Sequence, residues 1–330
     1  MTETAETKNE ANISQYIKDT IKEISKKMGE ESIMILGDIP YISIDTFHSG
    51  SYILDKILGI KGFPKGKIIE IYGPESSGKT TLALNAIAEV QKGGGIAAFI
   101  DAEHAIDSEY AQRIGVDTSK LILSQPNSGE QALEIVDILA KTGKIDLIVV
   151  DSVAALVPEA ELNGEMTDLQ IGAQARLMSK GLRKITGNLN KNKTTIIFIN
   201  QIREKVGVIF GSPETTPGGR ALKFYASVRI EVRKGSPIIE GKDIVGCEIK
   251  YKVVKNKLSI PYKTGQSELY FSVGIDKYGE LVDLAIENGI LEKKGAWFSY
   301  KGENVAQGKK NMRTFIVNNP PLYNEILATI

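Results

Sequence analysis

Short apolar runs alternate with amphipathic stretches through the middle of the chain. Each run has the length of a β-strand, and the stretches between the runs repeat their apolar residues at helical spacing. This alternation is typical of an α/β fold, in which helices flank a mostly parallel central sheet. The predicted strands are Ile68–Tyr72, Ile96–Ile100, Leu121–Leu123, Leu147–Val150 and Thr194–Asn200.

Three helices are predicted between these strands. An Ala- and Leu-rich helix covers Thr81–Gln91, and Ser128-Gly129-Glu130-Gln131 is a capping box that opens a helix running to about Thr142. A third amphipathic helix runs from Asp168 to about Leu189. We expect the second and third helices to cover the sheet.

The two ends of the chain differ from this middle part. A helix is predicted from about Asn12 to Met28 and stands apart from the core. Downstream, Val245–Val254 and Glu268–Val273 predict further strands, and short helices and turns follow from Lys277. We therefore predict an N-terminal helical arm at 1–38, an α/β core at 39–276 and a small α+β C-terminal domain at 277–330.

Composition narrows the class of protein. Hydrophobic residues make up 42% of the chain and charged residues 25%, as in soluble globular proteins, and no apolar run is long enough to span a bilayer. The polar, acidic N-terminus does not resemble a secretory signal, so we expect a cytoplasmic protein. Lys plus Arg and Asp plus Glu both number 41, so net charge says nothing about a nucleic-acid partner. Cys247 is predicted to be a buried apolar residue.

A phosphate-binding loop follows the first predicted strand of the core. Its sequence fits G-x-x-x-x-G-K-[ST] and lies between a strand and a helix, as that motif requires. The glycines let the backbone wrap a phosphate, Lys79 reaches the outer phosphates, and Thr80 offers a hydroxyl to Mg²⁺. The sequence therefore predicts a nucleoside triphosphate site made by Gly73, Pro74, Glu75, Ser76, Ser77, Gly78, Lys79, Thr80 and Thr81.

Polar residues end three other predicted strands. Asp151 ends an apolar strand and is placed to hold Mg²⁺ through water. An acid near the end of the Phe99 strand is placed to activate water; Glu103 is preferred, but spacing alone leaves Asp101 nearly equal. Gln201 is an uncharged group able to sense the γ-phosphate.

A long, glycine-punctuated segment, 202–219, begins next to Gln201. Its cations and backbone N–H groups can bind phosphates, and an apolar tip can wedge between bases. A mobile surface loop is the equal alternative on composition alone. The candidate DNA-binding residues in this segment and directly after it are Arg203, Lys205, Ile209, Phe210, Gly218, Gly219 and Arg220.

Six stretches together resemble the bacterial RecA recombinase family in order and spacing. The resemblance implies a DNA-dependent ATPase that uses ATP and Mg²⁺, forms helical homo-filaments on single-stranded DNA, and pairs it with duplex DNA in recombinational repair. The stretches are GPESSGKTT, FIDAEHAID (Phe99–Asp107), LIVVDSVAAL (Leu147–Leu156), FINQIR (Phe198–Arg203), GGRALKFYASVR (Gly218–Arg229) and KVVKNK (Lys252–Lys257).

The resemblance also implies roles for single residues. It makes Glu103 the water-activating carboxylate, Gln201 the γ-phosphate switch, and Asp107 and Tyr110 neighbours of the adenine. It makes 159–171 a first DNA-binding loop and 202–219 a second. The first loop has several acids and no Lys or Arg, so a contact there would use backbone N–H groups with Ile171 and Arg176.

Four lysines lie in or just after the Val245–Val254 strand. Alternation along a strand predicts Lys255 and Lys257 on one face and Lys250 and Lys252 on the other. From the residues alone, any of them can be a solvated edge lysine. The resemblance implies that Lys255 and Lys257 reach the γ-phosphate of a neighbouring subunit.

Two alternatives stay open at this point. One is a filament that chiefly serves as a scaffold stimulating self-cleavage of a LexA-type repressor, and the other is a RecA-fold motor such as a hexameric helicase. The Lys255 and Lys257 pair and the N-terminal helix favour an open filament over a closed ring.

Overall fold

The structure is a computed structural model that describes residues 3–35, 44–165, 170, 172–204 and 213–329. The chain divides into two compact units, Met1–Ile44 and Asp45–Ile330. The first unit contains helix α1 (Glu3–Met28) and a 3₁₀ turn at Glu30–Ser32. The helix begins well before the predicted start near Asn12. The residues before Asn12 have no apolar face, on which the prediction depended, but they contain no Pro or Gly to interrupt a helix.

A nine-stranded sheet forms the centre of the second unit, in the order β13-β12-β11-β10-β3-β7-β6-β4-β5. Along this order, each strand from β10 to β5 pairs parallel with its neighbour. On the other side of β10, the strands β10, β11, β12 and β13 pair antiparallel. The predicted α/β fold with a mostly parallel sheet is therefore confirmed. The strands of this unit up to β13 are β1 (Thr46–Phe47), β2 (Phe63–Pro64), β3 (Ile68–Gly73), β4 (Ala97–Asp101), β5 (Ile122–Ser124), β6 (Leu147–Asp151), β7 (Thr195–Gln201), β8 (Arg203–Glu204), β9 (Glu214–Thr215), β10 (Val228–Glu240), β11 (Asp243–Asn256), β12 (Thr264–Tyr270) and β13 (Gly274–Ile275).

Helices pack on both faces of this sheet. Alternate residues of β3 point to opposite faces, with Ile69 and Ile71 in one apolar cluster and Ile68 in the other. The first cluster includes residues from most sides of α3, and the second includes faces of α5 and α7, as predicted. The helices of this core are α2 (Tyr52–Leu58), α3 (Lys79–Lys92), α4 (Ser108–Ile114), α5 (Gly129–Lys141), α6 (Glu159–Leu162), α7 (Ala173–Asn192) and α8 (Ala221–Tyr225).

The starts of two of these helices were predicted from the sequence. At α5, Ser128 Oγ accepts a hydrogen bond from Gln131 N at 3.1 Å, and Gln131 Oε1 accepts one from Asn127 N at 2.7 Å. The predicted capping box is confirmed, with its return bond one residue earlier than in the usual pattern. Helix α7 begins at Ala173, after Gly172 in the left-handed region, whereas Asp168, the predicted start, lies outside the described residues.

The prediction that Lys255 and Lys257 lie on the opposite face from Lys250 and Lys252 is wrong. In the β10–β11 ladder Lys252 pairs with Glu231, but Lys255 pairs with Arg229, which lies two residues from Glu231 on the same face. One extra residue in β11 forms a β-bulge between them. Because side chains alternate with a period of two, one extra residue reverses the face of everything that follows.

A separate apolar cluster holds the C-terminal part together. It joins Leu281 of the first helix, Phe298 of the small sheet, and Met312 and Ile316 of the next helix. Of the aromatic residues there, Phe298 is in this core, whereas Trp297 is 44% exposed. The elements are α9 (Lys277–Glu287), β14 (Leu291–Lys294), β15 (Trp297–Tyr300), β16 (Glu303–Gln307), α10 (Lys309–Val317) and α11 (Pro320–Leu327).

A buried carboxylate fastens α9 to the start of α2. Glu280 Oε1 accepts a hydrogen bond from Ser51 Oγ at 2.6 Å and a second from Ser267 Oγ. Its Oε2 accepts from Tyr52 N at 2.6 Å and from Ile53 N at 3.5 Å. Burial raises the pKa of Glu280 to about 7 although these donors oppose the shift. The carboxylate thus closes the N-terminus of a short helix from another part of the chain.

Among the helices of the described ranges, none combines the length and apolarity needed to cross a bilayer. The domain boundaries at 38 and 276 stay predictions.

Candidate nucleotide and DNA site

The phosphate loop joins the end of β3 to the start of α3. Gly78 and Ser76 adopt left-handed backbone conformations, with φ 90° and 53°. A Cβ added at Gly73 would lie 2.0 Å from the Val232 carbonyl oxygen. Glycine is therefore required at Gly73 by close backbone approach and favoured at Gly78 by its torsion angle. Pro74, Glu75 and Ser77 complete the turn between them.

Lys79 lies across this loop at the first turn of α3. Its side chain is largely buried, and Nζ donates a hydrogen bond to the Pro74 carbonyl at 2.6 Å. Burial lowers the pKa of Lys79, and the carboxylates of Asp151, Glu103 and Glu75 oppose that shift. A cation is thus held over a ring of backbone groups, the arrangement that binds phosphate.

Asp151, at the end of β6, faces the same loop. Thr80 Oγ1 donates to its Oδ2 at 2.7 Å, and burial raises the pKa of Asp151 to about 6. A hydroxyl and a carboxylate are the oxygen ligands that Mg²⁺ prefers, so this pair fits that ion. Within the described ranges no three His, Cys, Asp or Glu side chains converge as a complete metal site. The other ligands would therefore be phosphate oxygens and water, as is common for Mg²⁺.

The two acids near the end of β4 have different surroundings. Asp101 is buried and accepts hydrogen bonds from Ala105 N at 3.1 Å, Ile106 N at 3.3 Å and Gln125 Nε2 at 3.0 Å. Glu103 is exposed. These contacts favour a structural role for Asp101, which shapes the segment that carries Glu103, and leave Glu103 as the candidate for water activation.

Glu103 meets the ends of two other strands. Its Oε1 accepts hydrogen bonds from Ser152 Oγ and from Gln201 Nε2, the latter at 3.2 Å. Gln201 pairs in register with Gly73, and Asp101 pairs with Asp151. Neighbouring parallel strands therefore bring the loop, the metal candidate, the candidate acid and the candidate sensor to one edge of the sheet. Nothing in the sequence pattern singled out Ser152, because its partner comes from another strand.

Tyr110 and Asp107 lie at the start of α4. Asp107 Oδ1 accepts from Tyr110 N at 3.0 Å and caps the helix, while the Tyr110 hydroxyl lies 2.9 Å from Thr81 Oγ1. A cavity of about 220 Å³ opens beside the phosphate loop. Its lining outside that loop comprises Tyr110, Cys247, Leu269 and Phe271. Tyr110 is thus placed where a nucleotide base could lie, and Asp107 positions it.

Cys247 is buried in the wall of this cavity, as predicted, and burial raises the pKa of its thiol. Sequence analysis did not identify Leu269 or Cys247 as lining residues. Cys247 lies on β11 and Leu269 on β12. Both strands are far from the phosphate loop in the sequence, and the folded sheet brings them beside it.

A buried polar network behind Gln201 also escaped the sequence analysis. Glu70, fully buried in β3, accepts from Arg229 Nε and from Asn200 Nδ2, the latter at 3.1 Å. The same Asn200 amide donates to the Pro217 carbonyl at 3.2 Å, and its Oδ1 accepts from Gln201 N at 3.0 Å. A glutamate inside the apolar run of β3 was the available signal. The network links the Gln201 backbone to the end of 202–219.

The stems of the second candidate DNA loop are described, but its tip is not. Arg203 is exposed on β8 and pairs with Thr215 on β9. At the other stem, Gly218 and Gly219 adopt φ 81° and 75°, and the exposed Arg220 precedes α8. Lys205, Ile209 and Phe210 lie outside the described residues.

For the first candidate DNA loop, the structure places one of the two named side chains. Arg176 is exposed on the first turn of α7, directly after that loop. Ile171 lies outside the described residues.

Two lysines, one at the end of β11 and one directly after it, donate hydrogen bonds to the last turn of α8. Lys255 Nζ donates to the carbonyls of Lys223 at 2.7 Å and Phe224 at 3.1 Å, and Lys257 Nζ donates to Phe224 O at 3.2 Å. Burial lowers the pKa of Lys255, and the charges of Lys257 and Arg229 add to that shift. Both cations thus sit at a helix C-terminus, where positive charge is favoured.

Comparison with known proteins covers almost the whole chain. The RecA N-terminal domain family matches residues 15–276, and the RecA C-terminal domain family matches 279–330. The chain is 66% identical to the protein RecA of Mesomycoplasma hyopneumoniae (strain 7448) over 317 residues, which is 96% of this chain and 94% of the relative. It is 64% identical to that of Mycoplasmopsis pulmonis (strain UAB CTIP), covering 95% and 93%, and 56% identical to that of Enterococcus faecium, covering 94% and 89%.

Proposed function

The chain belongs to the RecA family, and from that premise we infer that it is a recombinase that pairs homologous DNA strands in recombinational repair. The observation that carries this inference is the contact of Gln201 with Glu103 at the nucleotide edge, at the point where 202–219 begins. One side chain there touches the candidate catalytic acid and opens the candidate DNA segment. A hexameric helicase is not supported, because both RecA domain families match.

We propose that the protein hydrolyses ATP at this edge. The loop N–H groups and Lys79 would bind the phosphates, and Thr80 and Asp151 would hold Mg²⁺, which neutralises phosphate charge when bound. Glu103 would orient water and accept its proton. Because Ser152 donates to Oε1 of Glu103, Oε2 is the oxygen placed to take that proton.

DNA and nucleotide would favour each other through Gln201. When a γ-phosphate is present, Gln201 Nε2 would exchange Glu103 for a phosphate oxygen, and Asn200 would transmit the change to Pro217 through the same stretch of β7. Any such coupling is reciprocal, so ATP must tighten DNA binding by the factor by which DNA tightens ATP binding.

Filament formation and its consequences are proposals from the family. Single-stranded DNA would be bound by the residues named in the two loops, with duplex DNA as the second partner, and residues 1–38 would dock on the next subunit. Stimulation of self-cleavage of a LexA-type repressor rests on the family alone. Because recombinational repair acts on the DNA of the cell, the protein would act in the cytoplasm.

The test of the central proposal is phosphate release with and without single-stranded DNA, combined with electron microscopy. We expect hydrolysis that depends on DNA and helical filaments that require ATP and DNA together. Glu103→Gln should still bind ATP but lose hydrolysis by about a hundredfold or more, as expected for a general base. A protein that shows neither DNA-dependent hydrolysis nor filaments would be only a nucleotide-binding protein.

We further propose that Lys255 and Lys257 act across the subunit interface on the γ-phosphate of the neighbouring subunit. Their present carbonyl partners at α8 would then be exchanged for phosphate oxygens when subunits assemble. Lys255→Ala should retain nucleotide binding and lose DNA-stimulated hydrolysis, with Lys250→Ala on the same face as the control. Normal DNA-stimulated turnover in Lys255→Ala would refute the trans role.

A further inference from the structure

Gln174 lies where both candidate DNA segments meet the nucleotide edge. It is in the first turn of α7, directly after the first segment, and its side chain is half-buried. The residues it contacts belong to the turn after β6 and to the end of the second segment. Neither the sequence motifs nor the proposed mechanism uses this side chain.

The Gln174 amide forms hydrogen bonds in two directions. Its Nε2 donates to the carbonyls of Val153 at 2.9 Å and Leu156 at 3.2 Å, with a longer contact of 3.4 Å to Ala154 O. Its Oε1 accepts from Gly218 N at 3.1 Å. One planar group therefore holds a turn by its donor end and a glycine by its acceptor end.

The contact at Gly218 is tight as well as polar. A Cβ added there would lie 2.9 Å from Val153 Cγ1, and one added at Gly219 would lie 2.7 Å from Ala175 Cβ. Both glycines also have positive φ values. The segment therefore has little room to slide against α7 without breaking its bond to Gln174.

The turn held by Gln174 adjoins the reacting groups. Val153 is two residues from Asp151 and next to Ser152, whose hydroxyl donates to Glu103. From the opposite side, Asn200 holds the Pro217 carbonyl, one residue before Gly218. The end of the second DNA segment is thus fastened both to the sensor strand and, through Gln174, to the strand that carries the metal candidate.

We propose that Gln174 is a positioning residue that couples DNA binding to nucleotide binding, by fastening the ends of both DNA segments to the turn after Asp151. The proposal rests on the proposed function. A movement of either segment on DNA would have to move this turn or give up the amide bonds. An amide suits the task because it donates and accepts at once; a carboxylate can only accept, and a thioether does neither effectively.

The coupling is measured as a ratio of two dissociation constants for a fluorescent oligo(dT). The value measured with ADP is divided by the value measured with the slowly hydrolysed analogue ATPγS. In the wild type the ratio should exceed one. In Gln174→Met, which keeps the side-chain length, it should fall by at least about fivefold, a typical size for such coupling. The dissociation constant for ATPγS measured without DNA should stay within about twofold of the wild-type value, because no phosphate contact is removed.

Gln174→Glu separates the two ends of the link. It keeps an acceptor for Gly218 N and loses the donors to the turn, so its coupling ratio should fall as far as that of Gln174→Met. This variant also carries the test if the methionine variant does not fold. If either variant folds and has the same coupling ratio as the wild-type protein, the proposal is overturned.

The matched control is Gln91→Met. The Gln91 amide, near the C-terminal end of α3, also uses both its donor and its acceptor on backbone groups, accepting from Asp117 N at 2.9 Å and donating to Asp117 O at 3.0 Å. It should keep the wild-type ratio; an equal loss there would also overturn the role of Gln174. If the wild-type protein itself has a coupling ratio of one, nucleotide does not affect DNA binding, and the proposed function is refuted.

Discussion

Two buried carboxylates in this protein have similar titration and opposite surroundings. Asp151 ends β6 at the nucleotide edge, and Glu280 lies in α9, where the C-terminal elements meet α2. Burial raises the pKa of Asp151 to about 6 and that of Glu280 to about 7. Titration alone would not tell a ligand site from a structural joint.

Their hydrogen-bond partners distinguish them. Glu280 accepts from two hydroxyls and two backbone N–H groups, so its oxygens are saturated by the protein. Asp151 accepts from the Thr80 hydroxyl and lies in the field of the Lys79 cation. A saturated carboxylate fixes structure, whereas an acid with lone pairs to spare beside a cradle for anions can still bind a cation.

The largest effect should come from removing the charge of Asp151. Asp151→Asn keeps the shape of the side chain but weakens the hold on Mg²⁺, so ATP hydrolysis should fall by about a hundredfold or more. Phosphate release at saturating ATP measures this. Glu280→Gln, assayed below its melting temperature, is the control and should hydrolyse ATP normally. Equal losses in the two variants would erase the distinction between the sites.

Glu280→Leu should show the reverse pattern. It leaves two hydroxyls and two backbone N–H groups without their acceptor, so the free energy of unfolding should fall by about 2 kcal/mol or more. Urea unfolding measures the change. Asp151→Asn should lose far less, because one hydroxyl partner is affected. A Glu280→Leu protein as stable as the wild type would show that the carboxylate is not a structural joint.

The pH dependence of hydrolysis should follow Asp151. Its pKa is raised, so the metal-binding ionised form is lost as the pH falls through about 6. The Mg²⁺ concentration for half-maximal hydrolysis should therefore rise by about tenfold between about pH 7 and about pH 5. Glu280→Gln should give the same profile, and a Mg²⁺ requirement that ignores pH would contradict the assignment.

Glu280 should give a smaller effect, on stability. Its folded pKa of about 7 exceeds the usual 4.5, so the folded state favours the uncharged form. The resulting stability is fully present below pH 4.5 and is lost as the pH rises through about 7. The Tm of the wild type relative to Glu280→Gln should therefore decrease on going from acidic to neutral pH. A constant difference would indicate that Glu280 does not titrate in this range.

Local patterns were enough to predict much of this protein. Apolar runs predicted five of the six strands in the parallel part of the sheet to within one residue at each end, but they did not predict β10. The Gly73-to-Thr80 motif predicted the loop with its strand and helix. These features depend on residues close together in the chain, and backbone torsion and side-chain alternation act at that range.

Tertiary structure decided the remaining points, because they depend on partners far apart in the chain. Spacing left Asp101 and Glu103 nearly equal, and the three donors around Asp101 separated them. A bulge in β11, defined by its pairing with β10, reversed the face of Lys255.

The link through Gln174 and the joint at Glu280 have the same origin. Gln174 meets Gly218, and Glu280 meets Ser51, only after the chain has folded. The sequence by itself determined which chemical groups the chain has for binding nucleotide, because motifs of residues close together in the chain indicate them. Packing alone determined which polar groups face each other, because a buried polar atom is stabilised by whichever partner the fold brings to it.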